Sequence, residues 1–233
     1  MDYQNRQVVI TGGTGALGVA VVGALLAAGA VCHVPYRNAE EAKRFPHRDN
    51  RDVSLVALGD LADEAAVTAF YGGLDQLWAS IHIAGGFAFA PIAQSDKALL
   101  MTQLESNLIS SYLCSRAAIA AFRRAGSGGR IVNTAARQAL ESRLGANLTA
   151  YTVAKAGVVA MTIALAEDVA KEGILVNAVA PSTMDTAANR ASMPKADFDA
   201  WPKVEQVAAS IVFLASPQNE VTRGAIVPTY GKA

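Results

Sequence analysis

Hydrophobic residues fall along this chain in short continuous runs closed by glycine turns, and between those runs they recur at helical spacing. Val8-Val9-Ile10-Thr11 predicts a buried strand, Gly12 to Gly18 a turn, and Val19 to Ala28 a small-residue helix closed by Gly29. Ala30 to Pro35 predicts a second strand and Val53 to Leu58 a third, which ends at Gly59-Asp60 before a helix over Glu64 to Tyr71. Leu77 to Ile83 has the nearly unbroken apolar character of a central parallel strand and leads into Ala84-Gly85-Gly86. Ser95 to Ala125 predicts one long helix, with Leu99, Leu100, Leu104, Leu108, Ser111, Tyr112 and Ser115 near 3.6-residue spacing and Ser127-Gly128-Gly129 as its stop. Further strands are expected at Arg130 to Thr134, Leu175 to Ala180 and Ala225 to Val227, and further helices at about Ala150 to Lys171 and Val204 to Leu214. Ala135 to Thr149 reads as a polar connection, and Met184 to Trp201 as a covering element. This alternation, with no internal repeat, specifies an α/β fold: a single doubly wound parallel sheet with helices on both faces, in one domain over residues 1–233.

Composition narrows the partners. Hydrophobic residues make up 52% and charged residues 17% of the 233 positions, as in a well-buried globular chain. The 20 basic and 20 acidic side chains leave no field for nucleic acid or an anionic membrane surface. Gln7 to Tyr36 carries no Asp, Glu, Lys or Arg, which raises the question of a membrane span, but the glycines at 12, 13, 15, 18 and 23 split it into strand, turn and helix. Cys32 and Cys114 lack metal-ligand spacing, so reduced core thiols in a cytoplasmic protein are expected, with no disulfide and no metal.

The candidate chemistry sits at the strand ends. Gly12, Thr14, Gly15, Ala16, Leu17 and Gly18 form a turn of nearly bare backbone before a helix, where N–H groups can close on a pyrophosphate. At the end of the second strand stand Tyr36 and Arg37, with no carboxylate to take a ribose 2′-hydroxyl, so NADP(H) is expected over NAD(H). Asp60 either touches the adenine or caps the following helix. His82 reads as a hydrogen-bonded core residue. Tyr151 and Lys155 at i and i+4 share a helix face, and an ammonium beside a phenol lowers the phenol's pKa and makes it a usable general acid.

These motifs, in this order along essentially the whole chain, resemble the short-chain dehydrogenase/reductase family. The resemblance implies that Tyr151 is the proton donor, that Lys155 holds the nicotinamide ribose, and that Asn107 supports a water in a proton relay. It also implies that Leu61, Ala84, Gly85, Gly86, Pro181, Thr183 and Thr186 contact the cofactor, Thr186 at its carboxamide. The resemblance further implies a homodimer or homotetramer, since in this family the helices corresponding to those that carry Ala117, Ala118, Ala121, Ala160 and Ala164 pair across subunits.

Two departures stand out. Ala16 occupies the place of one motif glycine, and Ala136 lies where the family's substrate-binding serine is expected, with Thr134 and Ser142 the only hydroxyls nearby. The branch that lacks this serine and shares Gly15-Ala16-Leu17-Gly18 is quinonoid dihydropteridine reductase. The chain resembles it also in Phe87 after the second glycine turn, in Ala136-Arg137, and in Asp185-Thr186, Asn189-Arg190, Ser192-Met193-Pro194 and Ala196-Asp197-Phe198 with Trp201. The function so implied is reduction of a conjugated C=N or C=O small molecule in a pocket that Phe87, Ala136 and Trp201 line. A reductase of another carbonyl, quinone or imine compound is the first alternative, and a dinucleotide-sensing regulator without turnover is one of another class.

Overall fold

The computed structural model describes residues 1–233. Seven strands form one sheet in the order β3-β2-β1-β4-β5-β6-β7, every neighbouring pair parallel. In chain order the first half runs β1 (Gln7–Thr11), α1 (Ala16–Ala27), β2 (Val31–Tyr36), α2 (Ala39–Arg44), β3 (Val53–Ala57), α3 (Glu64–Gly72) and β4 (Leu77–His82). The second half runs α4 (Lys97–Gln103), α5 (Ser110–Ala125), β5 (Gly129–Thr134), α6 (Arg137–Leu140), α7 (Thr149–Asp168), β6 (Ile174–Pro181), α8 (Ala187–Ser192), α9 (Val204–Leu214) and β7 (Ile226–Thr229). The chain reverses its winding between β1 and β4, so a crevice opens above the carboxyl ends of these two strands.

Burial explains the unbroken apolar runs. β5 and β6 are buried at every position, since each of their faces is covered by helices. Residues of one face, including Ile10, Ile81, Val132 and Val179, pack with Val21, Val22 and Leu25 of α1 and Val207 and Ile211 of α9. The other face, with Val9, Ile131 and Val176, packs with Val67 and Tyr71 of α3 and Leu113, Ala118 and Phe122 of α5. Ala118 and Ala121 are consumed by this packing, so of the small residues expected at a subunit contact only Ala117, Ala160 and Ala164 keep exposed surface. Cys32 and Cys114 are buried free thiols, as the pattern predicts.

Local structure departs from expectation in four places. Helix α1 starts at Ala16 instead of Val19, because Gly15 already takes extended N-cap geometry. The short helix α2 is absent from the periodicity but is capped by Asn38, whose side chain accepts from the N–H groups of Glu40 and Glu41. The connection after β5 contains α6. The expected long helix is interrupted by a π turn over Leu104–Ile109. There Thr102, Ser106, Ser110 and Ser111 each donate a hydroxyl hydrogen bond to the carbonyl four residues back, at 2.7 to 3.0 Å, competing with the helical N–H groups. Helix α7 is long and apolar enough to cross a membrane by length and composition alone. Its Ala154, Lys155, Val158, Thr162 and Ala166 are nonetheless buried within the chain.

Candidate active site

The crevice above β1 and β4 is a cleft of about 730 Å³ that runs into a second space of about 220 Å³; Leu17, Ile83 and Gly85 line both. Backbone makes its floor. Gly12 adopts φ +71°, and a Cβ there would lie 2.6 Å from the nitrogen of Ala84, so the two glycine turns touch through bare main chain. Gly18 brings α1 against the turn, where a Cβ would fall 2.1 Å from the carbonyl oxygen of Gly12. Gly15 caps α1 without a side-chain hydrogen bond, so the first N–H groups of α1, at Ala16, Leu17 and Gly18, open on the cleft with the positive end of the helix dipole.

The large cleft collects Gly12, Thr14, Gly15, Ala16, Leu17, Gly18, Tyr36, Arg37, Asp60, Leu61, Ala84 and Gly85. Arg37 is exposed and has no ion-pair partner. Asp60 does not cap α3. Its carboxylate accepts from the N–H of Ala62, while Asp63 is the cap, three residues closer to the helix body. The cleft also recruits Asn38, Glu41, Leu58, Gly59, Ser106 and Ser110, which the sequence reading missed. For Asn38 and Glu41 the signal was present, since N-x-x-E is a helix-start pattern. A bare-backbone turn, an uncapped helix N-terminus and an unpaired arginine at the far end form a donor set that fits a dinucleotide.

The smaller space holds the acid–base residues. Gly86, Phe87, Asn107, Thr134, Ala136, Tyr151, Lys155 and Pro181 line it, together with Ser182 and Met184. Asn107 is fully buried on the π turn, and its amide clamps Gly86: Nδ2 donates to the Gly86 carbonyl at 3.0 Å and Oδ1 accepts from the Gly86 N–H at 3.2 Å. Lys155 donates from Nζ to the carbonyl of Thr134 at 2.7 Å and lies 6.0 Å from the centre of the Tyr151 ring. Burial pulls its pKa down to about 8. Burial also pushes the Tyr151 phenol up to about 12, which corrects the expectation of a lowered value. The ammonium donates to Thr134 and makes no hydrogen bond to the phenol, so desolvation of the tyrosine dominates.

The Tyr151 hydroxyl has no hydrogen-bond partner in the chain and borders the open space. Phe87 stands edge-on to the Tyr151 ring at 5.2 Å and is 65% exposed. Ala136 presents only a methyl group at the N-cap of α6. No hydroxyl replaces it: Ser142 is exposed in the following turn, the buried Oγ1 of Thr134 has no solvent contact, and Ser182 donates to the carbonyl of Tyr230 at 2.9 Å.

Three expected contacts fall outside both spaces. Thr183 does not line them. Thr186 is the N-cap of α8, its hydroxyl accepting from the N–H of Asn189 at 3.2 Å. Trp201 is 9% exposed and packs on Phe198 with ring centres 5.0 Å apart, so it braces the covering segment instead of facing the pocket. Asp185 anchors that segment through Arg190 at 2.6 Å and Lys203 at 3.2 Å. The residues of the expected substrate cluster after Pro181 are thus spent largely on one another.

His82 is a core residue. Tyr71 donates to Ser80 Oγ at 2.7 Å, and Ser80 in turn donates to His82 Nε2 at 2.8 Å. His82 Nδ1–H donates to Asn133 Oδ1 at 2.8 Å, and Asn133 Nδ2 donates to Thr162 Oγ1 at 3.0 Å. The direction of the chain follows from Thr162, whose own proton goes to the carbonyl of Val158 at 2.7 Å.

Residues 6–197 match the model of a family described as short chain dehydrogenase. The chain is 34% identical to cis-4-hydroxycyclohexanecarboxylate dehydrogenase of Sinomonas cyclohexanicum, over 98% of this chain and 96% of that one. It is 28% identical to 2-dehydro-3-deoxy-L-rhamnonate dehydrogenase (NAD(+)) of Sphingomonas sp., over 98% and 95%. Its fold matches the solved structure of ElxO with NADP bound at a TM-score of 0.86, with 22% identity over 97% of each chain.

Proposed function

The chain belongs to the short-chain dehydrogenase/reductase family of oxidoreductases, and from that premise we propose that it is an NAD(P)H-dependent reductase of a flat, conjugated C=N or C=O compound, with quinonoid dihydropteridine as the specific candidate. A bound nicotinamide dinucleotide supplies the hydride. The glycine turn and the N-terminus of α1 would hold its pyrophosphate, Arg37 would favour the 2′-phosphate of NADP(H), and Gly85, Gly86 and Pro181 line the space beside Tyr151 that would take its reactive end. Lys155, held by the carbonyl of Thr134, would take the nicotinamide ribose. Asn107 fixes the position of Gly86 and so one wall of the space beside Tyr151.

Tyr151 gives the proton. With its phenol pushed up to about 12 it stays protonated through the neutral range, which suits donation to a substrate being reduced. The acceptor ring gains one hydride and one proton, the latter from Tyr151 Oη. One observation carries the substrate reading: the space beside Tyr151 offers no second accessible hydroxyl, because Ala136 is a methyl group, Thr134 Oγ1 is buried away from it and Ser182 is committed to Tyr230. A conjugated ring that needs protonation and a flat wall, such as Phe87, makes less use of a second hydroxyl than an isolated ketone does.

The name of the Sinomonas relative favours a second reading, a ring-borne secondary alcohol or ketone. NADPH and NADH oxidation is measured with quinonoid dihydropterin against a panel of quinones and cyclic ketones. The first reading expects kcat/KM for the pterin at least about tenfold above every ketone, and a ketone at parity refutes it. Tyr151→Phe is expected to lower turnover on the order of 10²–10⁴-fold; unchanged turnover would point to a non-catalytic dinucleotide sensor. The exposed Ala160 and Ala164 of α7, with Tyr112 and Ile163 beside them in exposure, suit a homodimer or homotetramer, and the buried free thiols suit the cytoplasm.

A further inference from the structure

Two opposite charges face the far end of the large cleft. Arg37, at the end of β2, is exposed and makes neither an ion pair nor a side-chain hydrogen bond. Glu41 comes from the next element, α2, and lines the same space. It occupies the third helical position after the Asn38 cap, where a carboxylate ordinarily turns back to the N–H of the cap. Here it does not. Its Oε2 accepts from Thr14 Oγ1 at 3.1 Å, so the carboxylate reaches across the rim to the glycine turn, next to Gly15 and the N-terminus of α1. The neighbouring lysine is already occupied, since Lys43 pairs with Glu40 at 2.7 Å, and Glu41 keeps its charge uncompensated.

Dinucleotide folds that take a ribose 2′-hydroxyl use a carboxylate at the end of the second strand, and those that take a 2′-phosphate use a nearby arginine. This chain carries the arginine at that strand end and brings a carboxylate to the same cleft from α2. We propose that Glu41 is the residue that sets the balance between the two cofactors. It accepts from the adenosine ribose hydroxyls of NADH and opposes the 2′-phosphate that Arg37 attracts, which narrows the preference for NADPH to within about tenfold. Thr14 positions it by holding one carboxylate oxygen at the rim. The proposal rests on the reading of this cleft as the dinucleotide site.

The test is equilibrium binding without any substrate. Dissociation constants of NADH and NADPH are measured by titration calorimetry and by the fluorescence of the reduced nicotinamide, for the wild-type chain, Glu41→Gln and Glu205→Gln. The amide of Glu41→Gln keeps the size of the side chain but carries no charge. It is expected to tighten NADPH about tenfold and to weaken NADH several-fold, and the NADPH gain shrinks as salt rises. Glu205→Gln, an exposed carboxylate of α9 outside the cleft and without an ion-pair partner, leaves the ratio of the two constants unchanged. Equal weakening of both cofactors by Glu41→Gln would make the residue only a brace of α2 and overturn the proposal. Equal shifts in the ratio from Glu205→Gln and Glu41→Gln would overturn it too, by showing an effect of net charge. A wild-type chain that binds neither cofactor would instead refute the dinucleotide site itself.

Discussion

Lys155 offers a test of the site's electrostatics that needs no substrate. The residue is 5% exposed, and its ammonium holds a single hydrogen bond in the chain, to the Thr134 carbonyl. Burial lowers its pKa from 10.5 to about 8, so the charged form is penalised in the folded chain relative to the unfolded one. Below pH 8 both states are protonated and the whole penalty, about 3 kcal/mol at 1.4 kcal/mol per pH unit, weighs on folding. As pH rises through 8 toward 10.5 the folded chain loses this proton first, and stability is regained. Between pH 7 and 9 the regained part is about 1 kcal/mol. Lys155→Met removes the titrating group while keeping the apolar stem. Other groups titrate in both proteins alike, so urea unfolding at pH 7 and 9 should show the wild type gaining about 1 kcal/mol relative to the variant. Parallel pH dependences in the two proteins would refute the placement of a buried, solvent-starved ammonium beside Tyr151.

Acid should act through His82. Burial holds its pKa down from 6.5 to about 4, so stability present above pH 6.5 is lost as pH falls toward 4, by about 3 kcal/mol in total. Urea unfolding of His82→Gln, with no imidazole to protonate, should show a correspondingly shallower acid slope, and identical slopes would contradict a neutral His82. Gly85→Ala would place a Cβ 2.5 Å from Asn107 Oδ1 and 3.4 Å from Lys155 Nζ. It should therefore weaken NADPH binding at least about tenfold while circular dichroism shows the sheet intact; wild-type affinity would mean that Asn107 can leave Gly86 without cost.

Much of the fold was legible because its signals are local. A run such as Leu77 to Ile83 announces a strand covered on both faces, and Gly12 to Gly18 announces a turn where backbone must approach something closely. The same holds for Tyr151 and Lys155, which one helical turn suffices to place together. Elements too short to show a period were missed: α2 and α6 span six and four residues. The π turn at Asn107 was also invisible, since a widened turn leaves the hydrophobic spacing nearly unchanged.

The sequence by itself determined the class of the fold, the cradle for a phosphate, and the tyrosine–lysine pair, since each depends on residues a few positions apart. Only the tertiary structure decided which side chains share a space. It turned Trp201 and Thr186 away from the pocket, because packing on Phe198 and capping of α8 use their surfaces. It raised the Tyr151 phenol instead of lowering it, because desolvation depends on what surrounds the ring and not on which residue lies four positions on. And it carried Glu41 across the cleft to Thr14, a contact between residues 27 positions apart that no local pattern encodes.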